Sequence, residues 1–381
     1  MKKPNPFNYF AKSIGHELEF VGKEKKKGRK VVGIYCEYAP REIILAAGAV
    51  PVCLCGTSND TVSAAESVLP ANLCPLIKSS FGYFMTDSCP FITMADMIVA
   101  ETTCDGKKKM YEIMGLTNRV EVLELTQKSD SETALRHWTD ELRKFRRTLE
   151  KEFNVEVTDR KLRDAIRMMN RERALLKEAF YLGKANPPIV TGKELASIRF
   201  RVAGIPRHFE MLGEFIAQVR SRRKNRRIPA RVVRVMLTGC PTGSGSGKVI
   251  EIIEECGGVV VCQEACSGIK SVYEMTDEKG DPLEAIARRH FNLPCSCMTP
   301  NRGRVDLIAK LAGEFRPAAL VDLVWQACHT YNVESYLIGE FSKNTLGLPF
   351  LKIETDYSAS DREQLKVRIS ALLEIAGKLN K

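Results

Sequence analysis

Glu101-Thr102-Thr103-Cys104-Asp105-Gly106-Lys107-Lys108-Lys109 is the stretch whose reading decides the fold. Upstream of it, residues 96–100 (Asp-Met-Ile-Val-Ala) form a short apolar run of the kind that makes a buried strand. Downstream, residues 107–114 carry helix formers after a glycine, so Cys104 is expected on a strand-to-helix turn. In an open parallel sheet, ligands bind beyond the carboxyl ends of the strands. The turn also aims backbone N–H groups at that place, which favours an anion. A thiolate-bound cluster is such an anionic object, and its cysteines bind only when deprotonated.

The same alternation runs outward in both directions. Residues 31–35 read as a strand ending at Cys36, and Pro40 opens a helix through residues 42–47, proline being tolerated in the first turn. Residues 50–54 and 119–125 read as further strands, and Cys74-Pro75 and Cys89-Pro90 each start a helix. Residues 129–227 are different: Leu, Arg, Lys, Glu, Met and Ala at helical spacing predict about four helices, with Thr158 and Thr191 as caps. Their expected role is to cover a sheet and bridge two halves. Alternation resumes with strands at 232–237, 259–262, 318–324 and 350–353, and helices at 248–256, 281–290, 302–314 and 361–379. The expected fold is therefore α/β, with two Rossmann-like parallel-sheet domains facing across a cleft and joined by a helical segment. The boundaries fall at 1–29 (a helix over 7–21 and a basic linker), 30–128 (first α/β domain), 129–229 (helical segment) and 230–381 (second α/β domain).

A chain of 381 residues is long enough for two such cores, and 44% apolar with 28% charged residues is ordinary for a globular protein. No run approaches the roughly 18 apolar residues that span a bilayer. The N-terminus lacks the apolar core of a secretory signal, so a cytoplasmic location and no membrane partner are expected. The net charge of +11 is concentrated in residues 23–30 and 220–231. Neither run is interleaved with aromatics, so solvated linkers are favoured and no nucleic-acid partner is expected.

Thirteen cysteines are the anomaly. Where disulfides are rare, clustered thiols point to metal or catalysis, although some serve as small buried hydrophobes. Cys36, Cys104, Cys266 and Cys328 each follow an expected strand, and Cys74 and Cys295 sit on neighbouring turns. Two domains facing each other across their carboxyl edges bring all six to one cleft. No Cys-x2-Cys pair of the zinc type is present, nor a bacterial ferredoxin run. Cys53-Leu54-Cys55 and Cys295-Ser296-Cys297 do occur, with their side chains expected to point apart on extended chain. Spacing alone gives a thiolate metal site, with iron–sulfur favoured over structural thiols. The glycine-rich run from Gly239 to Val249 is not a Walker A loop, because Thr242 and Val249 stand where Gly and Ser or Thr are required. A close backbone approach to a cluster is expected there instead. His329, Glu37 and Glu101 are candidate catalytic groups that could donate a proton, with Lys78 a weaker one.

These residues together resemble a known family. The segments 35–42, 72–80 and 101–111, with 264–268, 294–301, 326–331 and 353–357, are similar to the 2-hydroxyacyl-CoA dehydratase and benzoyl-CoA reductase family. The set is most similar to its single-subunit branch, the double-cubane cluster proteins. In the dehydratases one [4Fe-4S] cluster typically rests on three cysteines, which match Cys74, Cys104 and Cys328 here. The double-cubane branch implies an [8Fe-9S] cluster, with Cys36, Cys266 and Cys295 as the three additional ligands. Cys297 competes with Cys295 for that role, Cys89 is assigned no ligand role, and Ser267 stands where relatives often have Thr. The resemblance also implies a homodimer, a small-molecule substrate, and a separate ATP-hydrolysing iron–sulfur reductase as electron donor. The expected function is ATP-dependent, low-potential reduction of small unsaturated molecules by an iron–sulfur oxidoreductase. The alternatives are a 2-hydroxyacyl-CoA dehydratase subunit (a lyase with one cubane) and a non-catalytic electron carrier.

Overall fold

The computed structural model describes residues 5–223 and 228–379. Two four-stranded sheets, parallel throughout, organise the chain. The first contains β1 (Val31–Ile34), β2 (Val50–Cys53), β3 (Met97–Glu101) and β4 (Val120–Leu123), in the order β2-β1-β3-β4. The second contains β5 (Val233–Gly239), β6 (Gly258–Glu264), β7 (Ala319–Trp325) and β8 (Phe350–Thr355), in the order β6-β5-β7-β8. The two Rossmann-like parallel-sheet domains are thus present and share one topology. β1, β3, β6 and β7 are buried along their whole length, as strands covered on both faces must be.

Strand order reverses between β1 and β3 in one sheet and between β5 and β7 in the other. Such a reversal splays the connecting loops apart and opens a crevice beyond the strand ends. Cys36 and Cys104 follow β1 and β3; Cys240 and Cys328 follow β5 and β7. Both crevices are therefore rimmed with thiols. Gly239, the last residue of β5, has φ +106°, and a Cβ there would stand 2.1 Å from the Leu323 carbonyl oxygen. Only glycine lets β5 and β7 run side by side to that edge.

The helices depart from the sequence expectation in three places. The N-terminal helix is two helices, Pro6–Ala11 and Ser13–Lys26, broken at Lys12. Lys23, Lys25 and Lys26 form its last turn rather than a linker, where cations oppose the negative end of the helix dipole. A helix absent from the expectation, His329–Asn344, joins β7 to β8, since parallel neighbours need a long crossover. Its exposed Val333, Tyr336 and Leu337 and its buried Ser335, Gly339 and Ser342 blur the usual apolar stripe. The basic run at 220–231 lies partly outside the described residues; its first two residues, Arg220 and Ser221, close the helix Pro206–Ser221.

The helices Glu132–Phe153 and Asp159–Phe180 bury Trp138, Leu142, Phe145 and Leu149, and Leu162, Ile166 and Met169, at the spacing of one helical face. A buried ion pair ties this segment to the first domain: Arg173 donates to Glu42 at 2.5 Å, both nearly inaccessible. Burial pushes the Glu42 carboxyl up, but Arg173, Arg289 and His290 outweigh it and hold the pKa at about 2. A carboxyl held below its unfolded value stabilises the fold above that value and loses the contribution as pH falls through the folded one. Glu42→Gln is therefore expected to cost about 3 kcal/mol at pH 7, from a shift of between two and three pH units. The gap should shrink as pH falls from about 4.5 towards 2. Urea denaturation of both proteins across that range checks it, and a gap that ignores pH would contradict the ion-pair account.

Candidate metal centre

One cavity of about 510 Å³ lies between the two sheets, beyond their carboxyl ends. All six of the expected thiols, Cys36, Cys74, Cys104, Cys266, Cys295 and Cys328, line it. Each reaches the wall for a local reason. Cys74 caps the helix Pro75–Met85, Cys104 caps Asp105–Met114 and Cys328 caps His329–Asn344. A helix N-terminus offers unpaired N–H groups and a partial positive charge, which favour a thiolate over a thiol. Backbone N–H groups of Leu76 and Ile77 face Cys74, that of Lys107 faces Cys104 and that of Tyr331 faces Cys328. Cys36 and Cys266 each stand two residues beyond a strand, β1 and β6.

The thiols sort into two groups by their electrostatic neighbours. Cys74 hydrogen-bonds Cys328, which Cys104 also senses, and Cys240 hydrogen-bonds Cys328 as well. Cys36, by contrast, senses Cys295 and Cys266, and Cys266 senses Cys295. Burial pushes the Cys36 and Cys104 thiols up and Lys107 draws both back. Burial pushes Cys266 up to about 12 against the pull of Lys270. Hydrogen bonds from Cys240 and Cys74 hold Cys328 well below the usual thiol range.

Two lysines supply the compensating charge. Lys107 Nζ reaches the Tyr35 carbonyl at 3.4 Å and is surrounded by Tyr111, Cys36, Cys55 and Cys104. Lys270, fully buried, pairs with Glu264 at 2.9 Å and donates to the Tyr331 hydroxyl at 3.0 Å. Arg304 closes the network behind it, bonding Glu264 at 3.3 Å, Asp322 at 3.2 Å and also Glu334.

Glu37 and His329 line the cavity; Glu37 pairs with Arg41 at 3.0 Å. Glu101 is wholly buried behind the wall and does not line it. Neither of its carboxylate oxygens has a hydrogen-bond partner among the described residues, and burial pushes its pKa up to about 8 despite Lys107. Lys78 pairs with Glu66 and the Ala71 carbonyl, and Cys89 caps the short helix Pro90–Met94; neither faces the cavity.

Several expectations are corrected here. The two Cys-x-Cys pairs do not splay: Cys53 hydrogen-bonds Cys55, Cys295 hydrogen-bonds Cys297, and all four line the cavity. Cys53 and Cys55, two apart at the end of a strand, share a face, and Cys295 and Cys297 lie on a turn that the Met298 N–H closes on the Cys295 carbonyl. The glycine-rich loop lines the cavity at residues 240–243 and also meets the other domain: a Cβ on Gly243 would strike Thr57 Oγ1 at 2.2 Å, and Thr57 donates to the Ser244 carbonyl at 2.7 Å. The helical segment does more than cover a sheet, since Met169, Glu172, Arg173, Leu176 and Phe180 form a cavity wall.

No group of three or more His, Cys, Asp or Glu side chains among the described residues is gathered tightly enough for a single metal ion. The thiols instead ring a cavity. All are free, and the buried hydroxyls of Tyr35, Tyr111 and Tyr357 around them lack hydrogen-bond partners among the described residues. Soft sulfur donors, helix N-termini, two lysines and idle O–H donors fit a thiolate-bound, anionic inorganic group.

Comparison with known proteins identifies relatives along the chain. The family model described as 2-hydroxyglutaryl-CoA dehydratase, D-component, matches residues 36–376. The chain is 41% identical to the Escherichia coli (strain K12) protein YjiM, named only provisionally as a dehydratase subunit, over 92% of each. It is 23% identical to the (R)-phenyllactyl-CoA dehydratase beta subunit of Clostridium sporogenes, over 97% of this chain and 98% of that one. It is also 22% identical to a benzoyl-CoA reductase subunit of Thauera aromatica over 72% of each.

Proposed function

The chain belongs to the 2-hydroxyglutaryl-CoA dehydratase D-component family, and from that premise we propose that it is the iron–sulfur component of an ATP-dependent, low-potential reduction system. One group, Cys74, Cys104 and Cys328, would hold one cubane, and Cys36, Cys266 and Cys295 a second, together an [8Fe-9S] cluster. The observation that carries this reading is that all six of these thiols line one cavity, Cys74 and Cys104 each beside Cys328, and Cys36 and Cys266 each beside Cys295. When bound, such a group supplies more than one low-potential electron, which suits reduction of a small unsaturated molecule.

The chain's own residues would do the rest. Lys107 and Lys270 offset the thiolate charge, and the Tyr35, Tyr111 and Tyr357 hydroxyls are free to donate to sulfur. Enclosure between two domains excludes water, which protects low-potential electrons from protons and oxygen. Glu37 and His329 line the cavity and are the groups that can deliver protons to a reduced substrate. The electron donor would be a separate ATP-hydrolysing iron–sulfur reductase, and the working unit a homodimer. The absence of a Walker A loop in this sequence is consistent with ATP being handled elsewhere.

A second reading has specific support, because several relatives are named as dehydratase subunits. It would make the chain a lyase subunit with one [4Fe-4S] cluster. The test supplies the reconstituted protein with an activator-type reductase, ATP and acetylene under anaerobic conditions. Ethylene formation that stops without ATP is expected. No ethylene, with elimination of water from a 2-hydroxyacyl-CoA in the same mixture, would establish the dehydratase, and neither product would leave an electron carrier.

A further inference from the structure

The cavity has two unlike sides. One is the ring of thiols; the other is apolar, built from Leu176, Phe180, Ile198 and Phe200, with Arg199 set among them. Arg199 lies on the connection after residue 197, held against the first sheet where the Cys53 N–H donates to the Arg201 carbonyl at 2.7 Å.

The arginines around this cavity differ in one respect. Arg41 pairs with Glu37, Arg173 with Glu42 and Arg201 with Glu17, while Arg289 donates to the Ser271 and Glu274 carbonyls. Arg199 has no carboxylate within ion-pair distance among the described residues. Its one hydrogen bond there is a long one, Nη2 to Thr242 Oγ1 at 3.5 Å, and its buried Nε has no partner. Burial and Arg201 lower its pKa to about 10, which still leaves it charged at neutral pH. Arg199 is half-buried, and its buried, unpartnered Nε is costly unless something arrives to pair with it. The idle Nε–H and the weakly used Nη2–H form the edge that grips a carboxylate with two parallel hydrogen bonds.

Position matters as much as charge. Thr242 Oγ1 lies 3.3 Å from Ser267 Oγ, and Ser267 follows Cys266. Arg199 is thus two side chains away from the sulfur ring, close enough to orient a short molecule towards it. Arg41, Arg173 and Arg201 are held by carboxylates and Arg289 by two backbone carbonyls, so among the described residues Arg199 is the arginine of this wall that offers a free edge, and one such edge matches a carboxylate better than a phosphate dianion.

We infer that Arg199 anchors a carboxylate-binding subsite, and that the molecule reduced here is a short unsaturated organic acid whose carbon chain lies against Leu176, Phe180 and Ile198, its carbon–carbon double bond becoming a single bond on taking two electrons from the reductase and two protons that solvent replaces on the cavity's acids. The choice of substrate class rests on the reductase reading; the subsite itself does not. The test is therefore a binding measurement on the holoprotein without reductase or ATP: anaerobic calorimetric titration with acrylate, crotonate and cinnamate, and with the corresponding amides. Wild-type protein should bind at least one acid at millimolar concentration or below and its amide far more weakly. Arg199→Gln should weaken the acid roughly ten- to a hundredfold, Arg199→Lys less, with amide binding and iron content unchanged. Equal affinity for acid and amide, no acid bound at millimolar concentration, or inorganic phosphate competing as well as the acids would overturn the inference. So would iron loss in Arg199→Gln with acid affinity intact, which would make Arg199 a counter-ion to the thiolates. Failure of acetylene reduction alongside Arg199-dependent acid binding would instead remove only the reductase reading.

Discussion

Cys266→Ser should take the anaerobically reconstituted protein from about eight irons per chain to about four, by counting cubanes. The thiol lost belongs to the group that also contains Cys36 and Cys295, and a serine oxygen is a poorer partner for iron than thiolate. Cys74, Cys104 and Cys328 remain at their helix N-termini, so the surviving iron should give the paramagnetic resonance spectrum of a single reduced cubane. Cys36→Ser and Cys295→Ser should behave alike. Cys297→Ser should keep the full complement, because the Cys297 thiol is buried and directed to the Tyr38 hydroxyl, 4.0 Å away. Unchanged iron and spectra in Cys36→Ser, Cys266→Ser and Cys295→Ser together would defeat the six-ligand assignment.

Arg304→Met should cost the iron-free protein about 3–5 kcal/mol, the usual penalty for stranding buried charge. Arg304, Glu264 and Asp322 are all without solvent exposure. Methionine fills much of the space but leaves Asp322 with no cation and Glu264 with Lys270 alone. Set against a folding free energy of about 5–15 kcal/mol, that loss is large. Glu264 lies two residues before Cys266, so the same change should loosen the sulfur ring. Urea denaturation measures it, with Arg304→Lys as the charge-preserving control expected to recover part of the loss. A destabilisation below about 1 kcal/mol would show that the network is a surface-like ion pair in effect.

What the chain discloses unaided follows from the range of each interaction. The strands are legible because a buried parallel strand is a near-continuous apolar run, as in Val31–Ile34 and residues 97–100. The thiols at their ends are legible for the same reason, since topology places strand ends at a crevice whatever the loops do. Cys74 is legible through Pro75, which marks the first turn of a helix. By contrast, Lys270 meets Tyr331 across 61 residues of sequence, and no local pattern signals that contact or its pairing with Glu264. Arg199 is identified by the partners it lacks, which only three dimensions reveal. The helix His329–Asn344 hides behind exposed apolar and buried small residues. The shared face of Cys53 and Cys55 is within reach of sequence reasoning, through the two-residue period of a strand.

The central claim is that thiols from both sheet domains together grip two joined cubanes. Anaerobic iron and acid-labile sulfide analysis of the purified wild-type protein, read with its paramagnetic resonance spectrum, tests it most directly. About eight irons and about nine sulfides per chain, with a spectrum unlike that of an isolated cubane, is the predicted result. About four of each, or a chain that takes up no iron at all, would contradict it.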